Sequence, residues 1–232
     1  MRLDKYIKHA LCITRSEANG LIKNGQILVN ESVKPKDYDV TEFDVVTYNT
    51  KPVVYKEYYY YMLNKPAGYI SSTAEKEGLP VTRLIKERND LFPVGRLDKD
   101  TEGLLILTND GALAHILTSP KHEVEKKYYV ETKNNIRKED IDLFKEGVEI
   151  NLDGSTYKCL PARLEIIDQN KCYVYIMEGK FHQVKEMFKS ANNEVAYLKR
   201  MAMGKLELDG NLKIGENREL TEDEITYLKS VK

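Results

Sequence analysis

The 232-residue chain has no tryptophan, only three cysteines and only four histidines. Cys12, Cys159 and Cys172 lie far apart with no CxxC spacing, which argues against a disulfide framework and against a structural zinc site. The histidines show no metal spacing such as HExxH, so no metal is expected. No apolar run approaches the roughly 20 residues of a membrane span. The opening Met-Arg-Leu-Asp-Lys is charged and lacks the apolar region of a signal peptide, so a cytoplasmic location with reduced thiols is expected. The formal net charge is only -1, so bulk charge announces no polyanionic partner and any such reading rests on local charge. Internal repeats and low-complexity tracts are missing too.

Local charge is uneven. Residues 1–36 carry Arg2, Lys5, Lys8, Arg15, Lys23, Lys34 and Lys36 against Asp4, Glu17 and Glu31, an excess of four positive charges. Residues 37–50 carry only acids. Leu3, Ile7, Ala10 and Leu11 repeat at helical spacing. Thr14 or Ser16 can cap a second helix with Glu17 in its first turn, and Asn24-Gly25 supplies its stop signal. "QILVN" and "SVK" then read as two short strands about a polar turn. On charge alone this is either a solvated helical face or a surface that meets phosphates. The order of helix, cap and strand signals resembles the S4 RNA-binding module. Arg2-Leu3-Asp4-Lys5-Tyr6, Ser16-Glu17-Ala18, Leu21-Ile22, Gly25 and Val29-Asn30 carry the likeness. It implies RNA binding through residues such as Arg2, Lys5, Arg15 and Lys23, by shape and backbone.

Thr50-Lys51-Pro52 reads as a linker, which divides the chain into residues 1–56 and 57–232. Tyr58 to Leu63 is rich in strand formers, and Asn64-Lys65-Pro66-Ala67-Gly68 breaks that run. Beyond it the pattern predicts strands near 104–108, 126–132, 161–167 and 172–178, and helices near 111–118, 138–145 and 181–191. "KLELDG" and "NRELTEDEITYLK" close the chain as a strand and a helix. The expected class is α+β: a small αα-β module followed by a larger domain with a mixed, largely antiparallel sheet flanked by helices.

One stretch, "PVGRLDKDTEGLLILTNDG" from Pro93 to Gly111, sets several carboxylates around the apolar run Leu104-Leu105-Ile106-Leu107. Asp110 reads as a turn or helix-start residue, and Asp100 and Glu102 as solvated loop residues. Asp98 sits at the entry to the buried strand. By residue type alone Asp98, Tyr128 and Lys185 all read as structural or solvated side chains.

Gly95-Arg96-Leu97-Asp98, Thr101 and Gly103-Leu104-Leu105 resemble the signature of pseudouridine synthases. "LNKPAG" with "SST", "VEKKYYV" and "EGKFHQVKEMF" are similar to flanking motifs of the RsuA-like branch, which modifies ribosomal RNA. The resemblance implies that Asp98 is the essential aspartate, that Tyr128 lies against the target base, and that Lys185 pairs with the aspartate. Arg96 is expected to hold the flipped nucleotide or its phosphates. His182 and Gln183 are expected at an RNA-contacting helix start, although His182 read alone could be a general base. The branch has a second basic residue where this chain has Glu186. The implied reaction detaches uracil from C1′ through N1 and rejoins it through C5, so it needs no cofactor. One carboxylate can act as base or as nucleophile, and a nearby ammonium favours its charged form. A paired-carboxylate glycosidase would need two acids and a water. The expected partner is 16S rRNA or a small-subunit assembly intermediate, met by a monomer. A large-subunit rRNA enzyme and a non-catalytic ribosome-assembly factor remain alternatives.

Overall fold

A computed structural model describes residues 1–74 and 78–231. The chain forms two compact units: residues 1–58 with 87–90, and the remainder.

The first unit opens with α1 (Leu3–Ala10) and α2 (Arg15–Lys23). Thr14 caps α2: its hydroxyl accepts from the Glu17 amide, while the Glu17 carboxylate accepts from the Thr14 amide. This reciprocal box pairs two donors that the helix cannot pair itself. β1 (Ile27–Val29), β2 (Val46–Tyr48) and β3 (Lys51–Pro52) make an antiparallel sheet. Leu3, Ile7, Ala18, Ile22, Ile27, Val29 and Val46 form its core. The expected strand at "SVK" is absent. Val29 and Ser32 exchange backbone hydrogen bonds, and Asn30 and Glu31 take positive φ, so the chain turns tightly there and β1 pairs with β2 instead.

The second unit contains β4 (Tyr60–Lys65), β5 (Glu102–Thr108), α3 (Gly111–Thr118), β6 (Lys126–Thr132), α4 (Lys138–Glu146), β7 (Glu149–Leu152), β8 (Ser155–Lys158), β9 (Arg163–Asp168), β10 (Lys171–Ile176), α5 (Gln183–Ser190), β11 (Val195–Met203), β12 (Asn217–Glu219) and α6 (Glu222–Ser230). The main sheet runs β9-β10-β6-β11-β5-β4-β12. Only the β11–β5 pair along that path is parallel. The class is α+β with a largely antiparallel sheet. On β5, Leu105 and Leu107 enter one core with Phe144 of α4 and Phe188 of α5. Leu104 and Ile106 enter another with Leu113 of α3 and Leu228 of α6. Period-two alternation therefore buries both faces of the run.

Two strand regions differ from expectation. β11 lies at the centre of the sheet, but its sequence "VAYLKRMAM" mixes charges with weak strand formers. β7 and β8 form a hairpin through Asp153-Gly154, both at positive φ, the conformation an Asp-Gly turn favours.

Candidate active site

The loop that carries Asp98 is tied down from two directions. The Lys65 ammonium, at the end of β4, donates to the carbonyl oxygens of Pro66 (3.2 Å), Asp98 (3.0 Å), Lys99 (3.3 Å) and Thr101 (2.7 Å). Its side chain is fully buried. Burial pushes its ammonium down to about 8, with Asp100, Asp98 and Glu102 opposing that shift. Ser71 Oγ sits 2.9 Å from both the amide and the carbonyl oxygen of Leu97. The Gly68 amide donates to Lys99 O at 2.7 Å. Thus "NKPAG" and "SS" act as a backbone clamp on the Asp98 loop. Gly103 closes it: its φ is +100°, and a Cβ there would overlap the carbonyl oxygen of Arg200 on β11.

The first turn of α5 brings Lys185 to this loop. Its Nζ lies 2.9 Å from Asp98 Oδ2 and 2.6 Å from Asp100 Oδ1. Burial would lower the Lys185 ammonium, but the bonds to Asp100 and Asp98 hold it above the usual lysine value. The Asp98 and Lys185 side chains are 23% and 24% exposed. His182 Nε2 stands 3.7 Å from the other oxygen, Asp98 Oδ1.

Asp98 and His182 border an open cleft of about 670 Å³. Tyr128, on β6, lines it at 8% exposure beside Ile176 and Leu198. Tyr129 points to the opposite face, where its hydroxyl donates to Glu131 at 2.6 Å. Arg96 is exposed on the cleft lining. The arrangement offers a carboxylate fixed beside an ammonium, a deep aromatic face and a cationic rim. It suits a flat, neutral ring on an anionic backbone.

Some residues sit as their sequence suggests, among them Asp110 and the exposed Asp100, and others do not. Gln183 lines the cleft but is buried, and its amide is engaged within its own turn: it donates to Glu178 Oε1 (3.0 Å) and accepts from the Lys180 amide (2.9 Å). It shapes the 178–183 turn. Asp100 is 75% exposed but shares Lys185 with Asp98. Glu102 is no loop residue: it opens β5 and accepts from the Tyr197 hydroxyl at 2.6 Å. Asp110 caps α3, accepting from the Leu113 amide. Glu186 lies 3.4 Å from Lys189. The clamping roles of Lys65 and Ser71 have no signal of their own in the sequence, although both residues lie in the "LNKPAG" and "SST" motifs. Arg200 has no sequence signal either: it is a buried guanidinium opposite Tyr128 whose Nε donates to Leu104 O at 2.7 Å.

In the first unit, the buried Asp4 carboxylate accepts from Arg2 (3.0 and 3.1 Å) and from Arg15 (2.9 and 3.1 Å). Both guanidiniums keep exposed faces. Lys5 and Lys23 are exposed.

Residues 59–190 match the family model for RNA pseudouridylate synthase, and residues 1–46 match the S4 domain. The chain belongs to the RNA pseudouridine synthase family. Among members of that family, it is 42% identical to the uncharacterized RNA pseudouridine synthase YtzG of Bacillus subtilis, over 98% of each chain. It is 39% identical to ribosomal small subunit pseudouridine synthase A of Vibrio cholerae, over 98% of this chain and 99% of the relative. A crystal structure of a pseudouridylate synthase superposes with a TM-score of 0.69 at 35% identity, over 98% of this chain and 99% of that one. The chain is thus an RNA-modifying isomerase with an S4 domain. Among the described residues, no helix is long and apolar enough to cross a membrane.

Proposed function

We propose that this pseudouridine synthase converts a uridine of small-subunit (16S) rRNA, with Asp98 as its single catalytic carboxylate and without a cofactor. The observation that carries the reading is Asp98 itself. Its backbone is clamped by Lys65, its carboxylate is charge-paired to Lys185 at 2.9 Å, and it lines the same cleft as Tyr128. The target base leaves the RNA stack and enters against the Tyr128 ring, which supplies a flat apolar face. Asp98 then acts at the sugar or the base. The N1–C1′ bond breaks, the uracil turns, and C5 bonds to C1′. The C5 proton is released and N1 regains one, so nothing is lost overall. Lys185 holds the carboxylate in place through its ion pair, and Arg96 at the rim meets the backbone. Arg2, Lys5, Arg15 and Lys23 of the S4 domain add phosphate contacts. The small-subunit assignment is supported by full-length similarity to relatives that bear that name.

The test is twofold. Pseudouridines are mapped in rRNA from a strain lacking the protein. Purified protein is then given 16S and 23S transcripts labelled with tritium at C5 of uridine. Loss of one 16S pseudouridine and tritium release from 16S alone are expected. Release from 23S alone would overturn the small-subunit assignment.

A further inference from the structure

The turn before α5 carries an aromatic side chain that the reaction outlined above leaves unused. Phe181 lines the cleft yet is 61% exposed, whereas Tyr128 in the same cleft is 8% exposed. Tyr128 is therefore deep and Phe181 is at the rim. A single exposed phenylalanine is ordinary by itself. This one is also oriented. Its ring is stacked on the His182 imidazole, with centroids 3.8 Å apart and planes 20° apart. His182 has a φ of +50°, in the left-handed region that non-glycine residues rarely adopt. The same imidazole reaches back to within 3.7 Å of Asp98. One ring face is thus covered by His182 and the other is left open at the rim.

The rim around it is cationic. Arg96, Lys99 and Lys180 line the cleft and are exposed. An aromatic face among cations matches an RNA strand, whose bases stack and whose phosphates pair. A uridine turned into the cleft leaves its neighbours unstacked, at a cost of a few kcal/mol. A ring at the rim can replace the lost stacking partner.

We propose that the open face of Phe181 is the seat for the nucleobase next to the uridine that enters the cleft. The inference rests on the rRNA-uridine reading above and adds a second base-recognition point to it. Stacking tolerates any base, so the seat contributes affinity and register more than base identity.

The chain contains no tryptophan, so Phe181→Trp places a unique fluorophore at the seat. The probe is a 16S rRNA fragment holding the uridine that wild type converts. Versions lacking the base on the 5′ or the 3′ side of that uridine accompany it. RNA should quench the Phe181→Trp emission, and one of the two abasic fragments should fail to quench it. Ile167→Trp, exposed on β9 and outside the cleft lining, should stay unquenched. Phe181→Ala should weaken binding of the intact fragment about 5- to 150-fold, with no further loss on that abasic fragment. Phe181→Trp should retain affinity. Equal quenching by both abasic fragments, or full affinity in a folded Phe181→Ala, would overturn the proposal. Failure of the small-subunit reading appears separately, as conversion of a 23S uridine. The fragment around that uridine then serves as the probe.

Discussion

Lys185 Nζ stands 2.9 Å from Asp98 Oδ2, and the same ammonium stands 2.6 Å from Asp100 Oδ1. The two carboxylates are unequal: Asp98 is mostly covered and lies on the cleft lining, while Asp100 is 75% exposed. Asp98→Asn should therefore abolish isomerisation while RNA binding survives, because the substitution removes a charge and preserves shape. Tritium release from C5-labelled RNA, beside a filter-binding titration, checks both halves. Near wild-type turnover would show that another group does the chemistry.

Lys185→Met should lower turnover strongly, and Lys185→Arg less. Methionine leaves Asp98 without its cation, and arginine restores the charge in a different shape. The pair is about a quarter exposed, so the loss should fall short of the about 3–5 kcal/mol typical of a broken buried pair. About 1–3 kcal/mol, or roughly 5- to 150-fold in kcat, is expected. Single-turnover rates at saturating RNA measure it. An unchanged rate in Lys185→Met would mean that Asp98 needs no cation.

Asp100→Asn and Glu102→Gln should both retain activity, for different reasons. Asp100 touches Lys185, but an exposed ion pair contributes about 0–1 kcal/mol, so a drop of at most about fivefold is expected. Glu102→Gln keeps an acceptor for the Tyr197 hydroxyl and should be near neutral. Measured kcat with circular dichroism as a fold control separates the outcomes. A collapse of activity in folded Asp100→Asn would make the two aspartates a functional pair.

Local signals with a fixed offset were legible in the sequence. Thr14 with Glu17, Asn24-Gly25 and the Leu104–Leu107 run each declare themselves within a few residues. The motif around Asp98 draws attention to its loop by resemblance alone. What the sequence hides is set by tertiary closure. Lys65 pins carbonyls of Asp98 and Thr101, and no periodicity announces such a bond. β11 is a strand because both its neighbours pair with it, and its Lys199-Arg200 pair reads as surface. The bond that holds the Gln183 amide to the Glu178 carboxylate has no sequence signal either. The Asp153-Gly154 turn is another local signal of fixed offset.

Lys65→Met should loosen the Asp98 loop and lower both Tm and kcat. The bond to Thr101 O is buried, and a buried carbonyl left unpaired costs about 1–3 kcal/mol. The effect carries a pH signature. Burial lowers the folded-state Lys65 ammonium to about 8 from an ordinary 10.5. Between those values the unfolded chain holds more protons on this side chain than the folded one, so wild-type stability gains with rising pH across that window. The variant lacks this contribution. The wild-type advantage in Tm should widen between pH 7.5 and 10 (about the span of that shift). A gap that narrows over the same range would mean that the ammonium is not held down by burial.

Asp4→Asn should weaken RNA binding even though it makes the chain more positive. In the S4 domain the buried Asp4 carboxylate holds Arg2 and Arg15 together, and their exposed faces are the proposed phosphate contacts. An amide cannot hold two guanidiniums with the same charge-assisted bonds. Freed arginines would pay side-chain entropy again on each RNA encounter. Arg2→Gln and Arg15→Gln should each flatten the dependence of log K on log salt by about 0.7–0.9, as expected for one lost phosphate contact. Asp4→Asn should lower affinity with both arginines still present. Titrations of a 16S rRNA fragment from 50 to 200 mM salt (a range over which about 6–10 contacts give large changes) read both quantities. If Asp4→Asn binds more tightly while remaining folded, net charge governs the encounter and the fixed placement of Arg2 and Arg15 contributes nothing to it.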